Sequence, residues 1–300
     1  MSSRTRTITP DEIEQERYPF RRAWPSIIVE IAILAGVCVG VYFITRLLNI
    51  QLSGLPLSIV EAALIAVPVI LWIVFSLMRE QAADLPRFRL LIVMIITLLA
   101  ANAVTIPAAD ALFQTSDWLP HEATIQRILG YTFTLGVAQA ITQYLVVYYC
   151  VYPRGLRVRA DSIAYFAAAS VGYAAMLNIH FMLNSTPALD VLALTVFANQ
   201  ATSLAMSFML AFGLAEVRFA SPTPFLMMIM LALSALIFGA SVTLRGGLVN
   251  GGFSLLGSEA SPLYGFAFST ILLVAVGVVI AFFFRTAERR EEEAALAQAP

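Results

Sequence analysis

Eight apolar runs, each long enough to cross a bilayer, limit this chain to very few architectures. A hydrocarbon core about 30 Å thick takes roughly 20 helical residues to span. Runs of that length fall near 26–48, 56–78, 90–113, 126–152, 162–184, 188–214, 224–244 and 263–284. They are continuously apolar, whereas membrane-barrel strands alternate over about ten residues, and an open sheet would leave backbone groups unpaired in lipid. Only 12% of the residues are charged, about half the share usual in soluble domains. The expected fold is therefore all-α: a polytopic membrane bundle of about eight transmembrane helices. A polar leader (1–24), one transmembrane domain (25–285) and a charged tail (286–300) complete the layout.

All 18 basic residues are arginine. With eight spans, every one falls on the side of the two termini except Arg46, Arg127 and Arg245. The positive-inside rule then predicts a multi-pass protein of the cytoplasmic membrane, as in a bacterial inner membrane, with both termini cytoplasmic. The leader mixes acids with arginines and feeds a full-length span, so that span is expected to stay as an anchor rather than be cleaved. Tyr18, Phe20 and Trp24 suit the headgroup zone. Cys38 and Cys150 fall within predicted spans, which argues against a disulfide framework. A formal charge of −1 implies no attraction to nucleic acid.

Polar side chains inside the spans are the candidates for function, because they are costly in lipid unless they find partners. Gln139 and Gln143, four apart, share one helix face, and Asn178, Asn199 and Gln200 occupy the next two spans. Small-residue runs at 167–170 and 174–175 predict close approach of the fifth span to its neighbours. Glu30 and Glu61 are the intramembrane acids, and both lie shallow. Asp110 is expected at an exposed span end, His121 in a loop, and His180 near the end of the fifth span. The lack of lysine rules out a retinal Schiff base. The two histidines stand too far apart for an HExxH zinc site. Pro68 and Pro107 are expected to interrupt helices, and residues 245–262, rich in glycine, to form a loop or partly re-entrant segment.

Between the fourth and sixth spans the chain resembles the PrsW family of intramembrane proteases, relatives of the CPBP/glutamic-type group. The loop element Asp161-Ser162-Ile163-Ala164-Tyr165 is similar to the family's Asp-Gly…Tyr. The segment Ser170-Val171-Gly172-Tyr173-Ala174-Ala175-Met176-Leu177-Asn178 is similar to GxGFAxxEN, and it keeps the asparagine. The resemblance implies a PrsW/CPBP-like helical bundle. It also implies that the catalytic set is substituted. Gln139 and Ala140 stand at the paired glutamates, Gln143 at the following lysine, and Leu177 at the second-helix glutamate. Asn199 or Gln200 stands at the first late histidine, and Arg245 or Asn250 near the second. An amide cannot take a proton from water at neutral pH and is a poor substitute for a zinc-bound carboxylate or imidazole.

The leading expectation is a catalytically inactive member of such a scaffold. It would bind lipid, a transmembrane helix or a partner subunit through Gln139, Gln143, Asp161, Asn178, Asn199 and Gln200, in a groove between spans four, five and six. Gln139 and Asn178 are expected to face one cavity. No cofactor is expected on this reading. The alternative is an active intramembrane protease using displaced acids, Glu30, Glu61 or Asp161 with His180, and zinc would belong to that reading alone. An accessory subunit or a transporter stands as the other open role.

Overall fold

The computed structural model describes residues 23–49, 52–78, 88–153, 155–185, 187–220, 225–251 and 261–297. The leader expected along the membrane surface lies outside them, apart from its last two residues. Eight helices are long and apolar enough to cross a membrane: α1 (Ala23–Leu47), α2 (Leu55–Ser76), α3 (Phe88–Leu112), α4 (Thr124–Val151), α5 (Arg159–Ser185), α6 (Leu189–Phe219), α7 (Leu226–Gly251) and α8 (Pro262–Arg290). The α8 helix continues to Ala297. No described residue lies in a strand. The fold is an all-α bundle of the kind expected for a polytopic membrane protein.

Local chemistry explains the punctuation. Gly54 takes φ +66°, a conformation open mainly to glycine, and Pro56 follows in the first turn of α2. Pro107 removes a backbone donor, yet α3 does not break there. It widens on either side, over Ala101–Thr105 and Ala108–Leu112, and wide turns of this kind absorb a proline's steric and hydrogen-bonding defect. Beyond α3, the Trp118 indole donates to the Phe113 carbonyl at 3.0 Å and pins the connection.

The expected interruptions at Pro68 and Pro107 are absent, since α2 and α3 run through both prolines, and one further stretch differs from expectation. The seventh span was expected to end at 244, but its helix runs to Gly251 and carries Arg245 within it. Of the remaining residues of the 245–262 stretch, 252–260 fall outside the described residues and Pro262 already begins α8. The basic residue and two glycines that suggest an exit are instead part of a helix, with Arg245 half-buried.

Side-chain pairs fix the directions of the spans. At one face, Arg159 at the start of α5 pairs with Glu216 near the end of α6, and Ser76 at the end of α2 donates to Glu30 early in α1. At the opposite face, Arg46 near the end of α1 pairs with Asp190 at the start of α6, Nε to Oδ2 at 3.2 Å. There too His180 of α5 lies 3.7 Å from Asp110 of α3. As the partner on α5 falls from 178 to 170 to 159, its partner on α6 rises from 199 to 203 to 216. The two helices are antiparallel in a single register.

α6 is the centre. Of its most apolar stretch 83% is buried, against 22–28% for α1, α2 and α8. It packs on α5, α8, α7 and α1. Lipid tails are as apolar as leucine, so spans gain by close van der Waals approach rather than by escaping water. Small residues are accordingly frequent in the interior, among large buried ones such as Phe166, Tyr173 and Phe197, with Ala193, Ala198, Ala201, Ala205, Ala211 and Ala215 all buried on α6. Ala167, Ala168, Ala169, Ala174 and Ala175 do the same on α5, as the small-residue runs predict. Large apolar side chains such as Phe43, Ile59, Phe133 and Phe282 point outward.

α5 approaches α3 closely, as α7 does α4 at Gly239 and Gly136. A Cβ on Gly172 would collide with the Met94 carbonyl oxygen and lie 3.2 Å from the Leu98 amide nitrogen, both backbone atoms that cannot swing aside. Gly172→Ala is expected to lower stability by about 1–3 kcal/mol, read as detergent-solubilised unfolding. Gly36→Ala, where nothing lies within 4 Å, should leave stability unchanged or slightly raised. Equal effects would contradict the packing.

Candidate functional site

The amides on α4 meet the hydroxyls of α6. Gln139 and Gln143 are both fully buried. Their side-chain nitrogens donate to one atom, Ser203 Oγ, at 3.2 and 3.0 Å. Ser203 Oγ in turn donates to the Ser170 carbonyl on α5 at 3.2 Å. A hydroxyl offers one donor and two acceptor positions, so Ser203 is saturated. Ser207 donates to Gln143 Oε1 at 3.0 Å and closes the ring from the other side. Gln139 Oε1 is left buried without a partner. Ala140, beside it, is fully buried. Three helices are thereby tied at one point by neutral groups.

A second cluster lies nearer the opposite face. Asn199 donates to Asn178 Oδ1 at 2.8 Å and accepts from an Arg245 terminal nitrogen at 3.1 Å. Arg245 reaches inward from α7, and its stem passes 3.1 Å from the position of a Cβ on Gly265 of α8. Asn178 is fully buried, and its Nδ2 has no partner; nor does the buried Gln200 Oε1. Asn199 and Ser203, four apart on α6, belong to the same polar stripe. Gln139 and Asn178 therefore sit in two successive hydrogen-bonded clusters along the α5–α6 seam, the first fully buried and the second reaching the half-buried Asn199 and Arg245. Leu177 is half-buried, and Asn250 is exposed on the last turn of α7.

The acids fall elsewhere. Asp161 Oδ2 accepts the backbone N–H groups of Arg157 and Val158 at 2.7 and 2.9 Å and so anchors the first turn of α5. Glu30 accepts from Ser76. Glu61 is buried on α2. His180 contacts the Asn184 amide nitrogen at 3.0 Å as well as approaching Asp110. From Asp161 to His180 is about 28 Å at 1.5 Å per residue. The displaced-acid pairing of these two is thus excluded by the helix that carries both. Glu30 lies at the same face as Asp161 and is likewise remote from His180. Among the described residues, no three His, Cys, Asp or Glu side chains converge.

Open volume lies on the other side of α6. A cleft of about 1340 Å³ is bounded by α1, the start of α5, α6 and α8. Its walls include Ile27, Ile31, Leu204, Phe208 and Leu273, and its mouth carries Arg157, Arg159, Arg285 and Glu288. Neither Gln139 nor Asn178 lines it.

Reading residues alone missed Ser170, Ser203 and Ser207. The available signal was the spacing of Asn199, Ser203 and Ser207 at intervals of four. Comparison with protein-family models, with curated proteins and with solved structures finds no match for this chain.

Because Ser203 serves three partners and Ser207 one, their removal should differ. Interhelical hydrogen bonds in membranes are worth about 0.6 kcal/mol on average and up to about 1.7. Ser203→Ala is expected to lose about 1–2 kcal/mol in reversible unfolding from mixed micelles, and Ser207→Ala about 0.5 kcal/mol. Indistinguishable losses would contradict the shared-acceptor geometry.

Proposed function

We propose that this chain is a non-hydrolytic, membrane-embedded binding protein built on a PrsW-like scaffold, with both termini cytoplasmic. The observation that carries this reading is the neutral lock at Ser203. The resemblance places a proton-accepting pair at Gln139 and Ala140. What stands there is an amide whose nitrogen is committed to Ser203 and a methyl group that can hold nothing. General-base hydrolysis needs a group that takes a proton from water, and neither side chain has that capacity.

The lock still has a use. It holds α4, α5 and α6 in register without a buried charge, so the opposite side of α6 can stay open without the bundle collapsing. That leaves the cleft between α1, α6 and α8 as the place for an apolar ligand drawn from the membrane. Binding of this sort depends on shape and on the charge of the mouth, not on water activation.

The test is direct. Protein reconstituted in lipid discs, incubated with a membrane-spanning peptide with and without added zinc, is expected to leave the peptide intact. Cleavage that a chelator abolishes, and that Asp161→Asn or Glu30→Gln removes, would contradict the proposal.

A further inference from the structure

The cleft's chemistry goes beyond the binding reading on which this inference rests, because it selects among ligands. At about 1340 Å³ it exceeds the roughly 300–1,000 Å³ of ordinary small-molecule sites. α1 and α8 both pack along α6 without extended contact with each other, so the cleft opens sideways to the bilayer. Its lips, Ile28 on α1 and Val274 and Val278 on α8, are exposed apolar residues at home in lipid.

The two ends differ in character. The deep part is apolar. The mouth, at the face where α1 begins and α8 ends, carries Arg157 and Arg285, both exposed; Arg157 also neighbours the Asp161 carboxylate, and Arg285 has no ion pair with any described residue. Arg159 is already paired with Glu216, and Glu288 is the one acid among the described residues that line the cleft. Within the cleft, the Trp24 ring of α1 lies tilted against Phe208 of α6 (centroids 4.8 Å) and edge-on to Phe284 of α8 (6.4 Å). This aromatic bridge narrows the mouth end of the cleft, which a rigid helix about 10–12 Å wide would have to share. Flexible acyl chains can pass around it.

We infer that the cleft seats one anionic phospholipid of the leaflet at this face. Its chains lie along Ile27, Ile31, Phe208 and Leu273, and its phosphate sits between the Arg157 and Arg285 guanidinium groups. Charge complementarity at the mouth selects the headgroup, and the apolar depth holds the tails. Gly277 lies on the wall, where an added Cβ would meet only Phe208 Cε2 at 3.7 Å. A large side chain there would fill the cleft while leaving the helix packing intact.

The test is lipid retention and titration of the full-length protein, followed by native mass spectrometry with phosphatidylglycerol and phosphatidylcholine as probes. The wild type is expected to bind one phosphatidylglycerol with a roughly tenfold preference. That preference should fall to near unity in Arg157→Ala/Arg285→Ala. Gly277→Phe should abolish retention at an unchanged unfolding temperature. Equal binding of the two lipids by the wild type would overturn the headgroup selection while leaving the binding reading standing. Failure of the wild type to hold either lipid would overturn both. Lipid binding that emerges only after removal of residues 1–22 would overturn the inference and make the leader the occupant. Capture of a transmembrane peptide in competition with phosphatidylglycerol would overturn it in favour of a helix.

Discussion

A helix surrounded by other helices in a bilayer has no water to satisfy its polar side chains, so those on α6 are stabilised only where a neighbouring helix supplies a partner. Ser203 finds three, Ser207 one, and Asn199 two. These bonds dictate which helices stand beside α6 and at what height. The antiparallel register of α5 follows from them, with the Arg159–Glu216 ion pair fixing one end. The position of α4 follows from its two glutamines, and the inward reach of Arg245 ties in α7. Small residues make the approach close enough for bonds about 3 Å long to form. Polar pairing sets the register, and alanine and glycine set the distance.

Much of the fold was legible because lipid imposes a length and a composition that a run of residues either has or lacks. The eight spans are of that kind. The end of α7 was not, since an arginine followed by two glycines is the ordinary mark of an exit, whereas here Arg245 is half-buried and held by the Asn199 side-chain oxygen. That partner lies on another helix, beyond the reach of local pattern. Pro107 misleads in the same way: the wide turns around it keep α3 continuous.

The candidate site divides along similar lines. Gln139, Gln143, Asn178 and Asn199 stand out because amides are rare in apolar runs, and all four belong to the interior clusters. Serines are commonplace in membrane helices and gave no such warning, although Ser203 is the hub. The cleft was invisible in the sequence. Its walls come from α1 and α8, at opposite ends of the chain, and its existence depends on those two helices leaning on α6 without leaning on each other. Sealing one side of α6 with neutral bonds and leaving the other side open separates the task of holding the bundle from the task of holding a ligand.

The register of α5 against α6 is the claim on which the clusters, the lock and the cleft all depend. Disulfide formation in native membranes between Asn178→Cys and Asn199→Cys measures it most directly, because those two side chains meet at 2.8 Å. The account predicts rapid, near-complete cross-linking of that pair and none between Asn178→Cys and Ser207→Cys. Cross-linking of the second pair, or of neither, would contradict it.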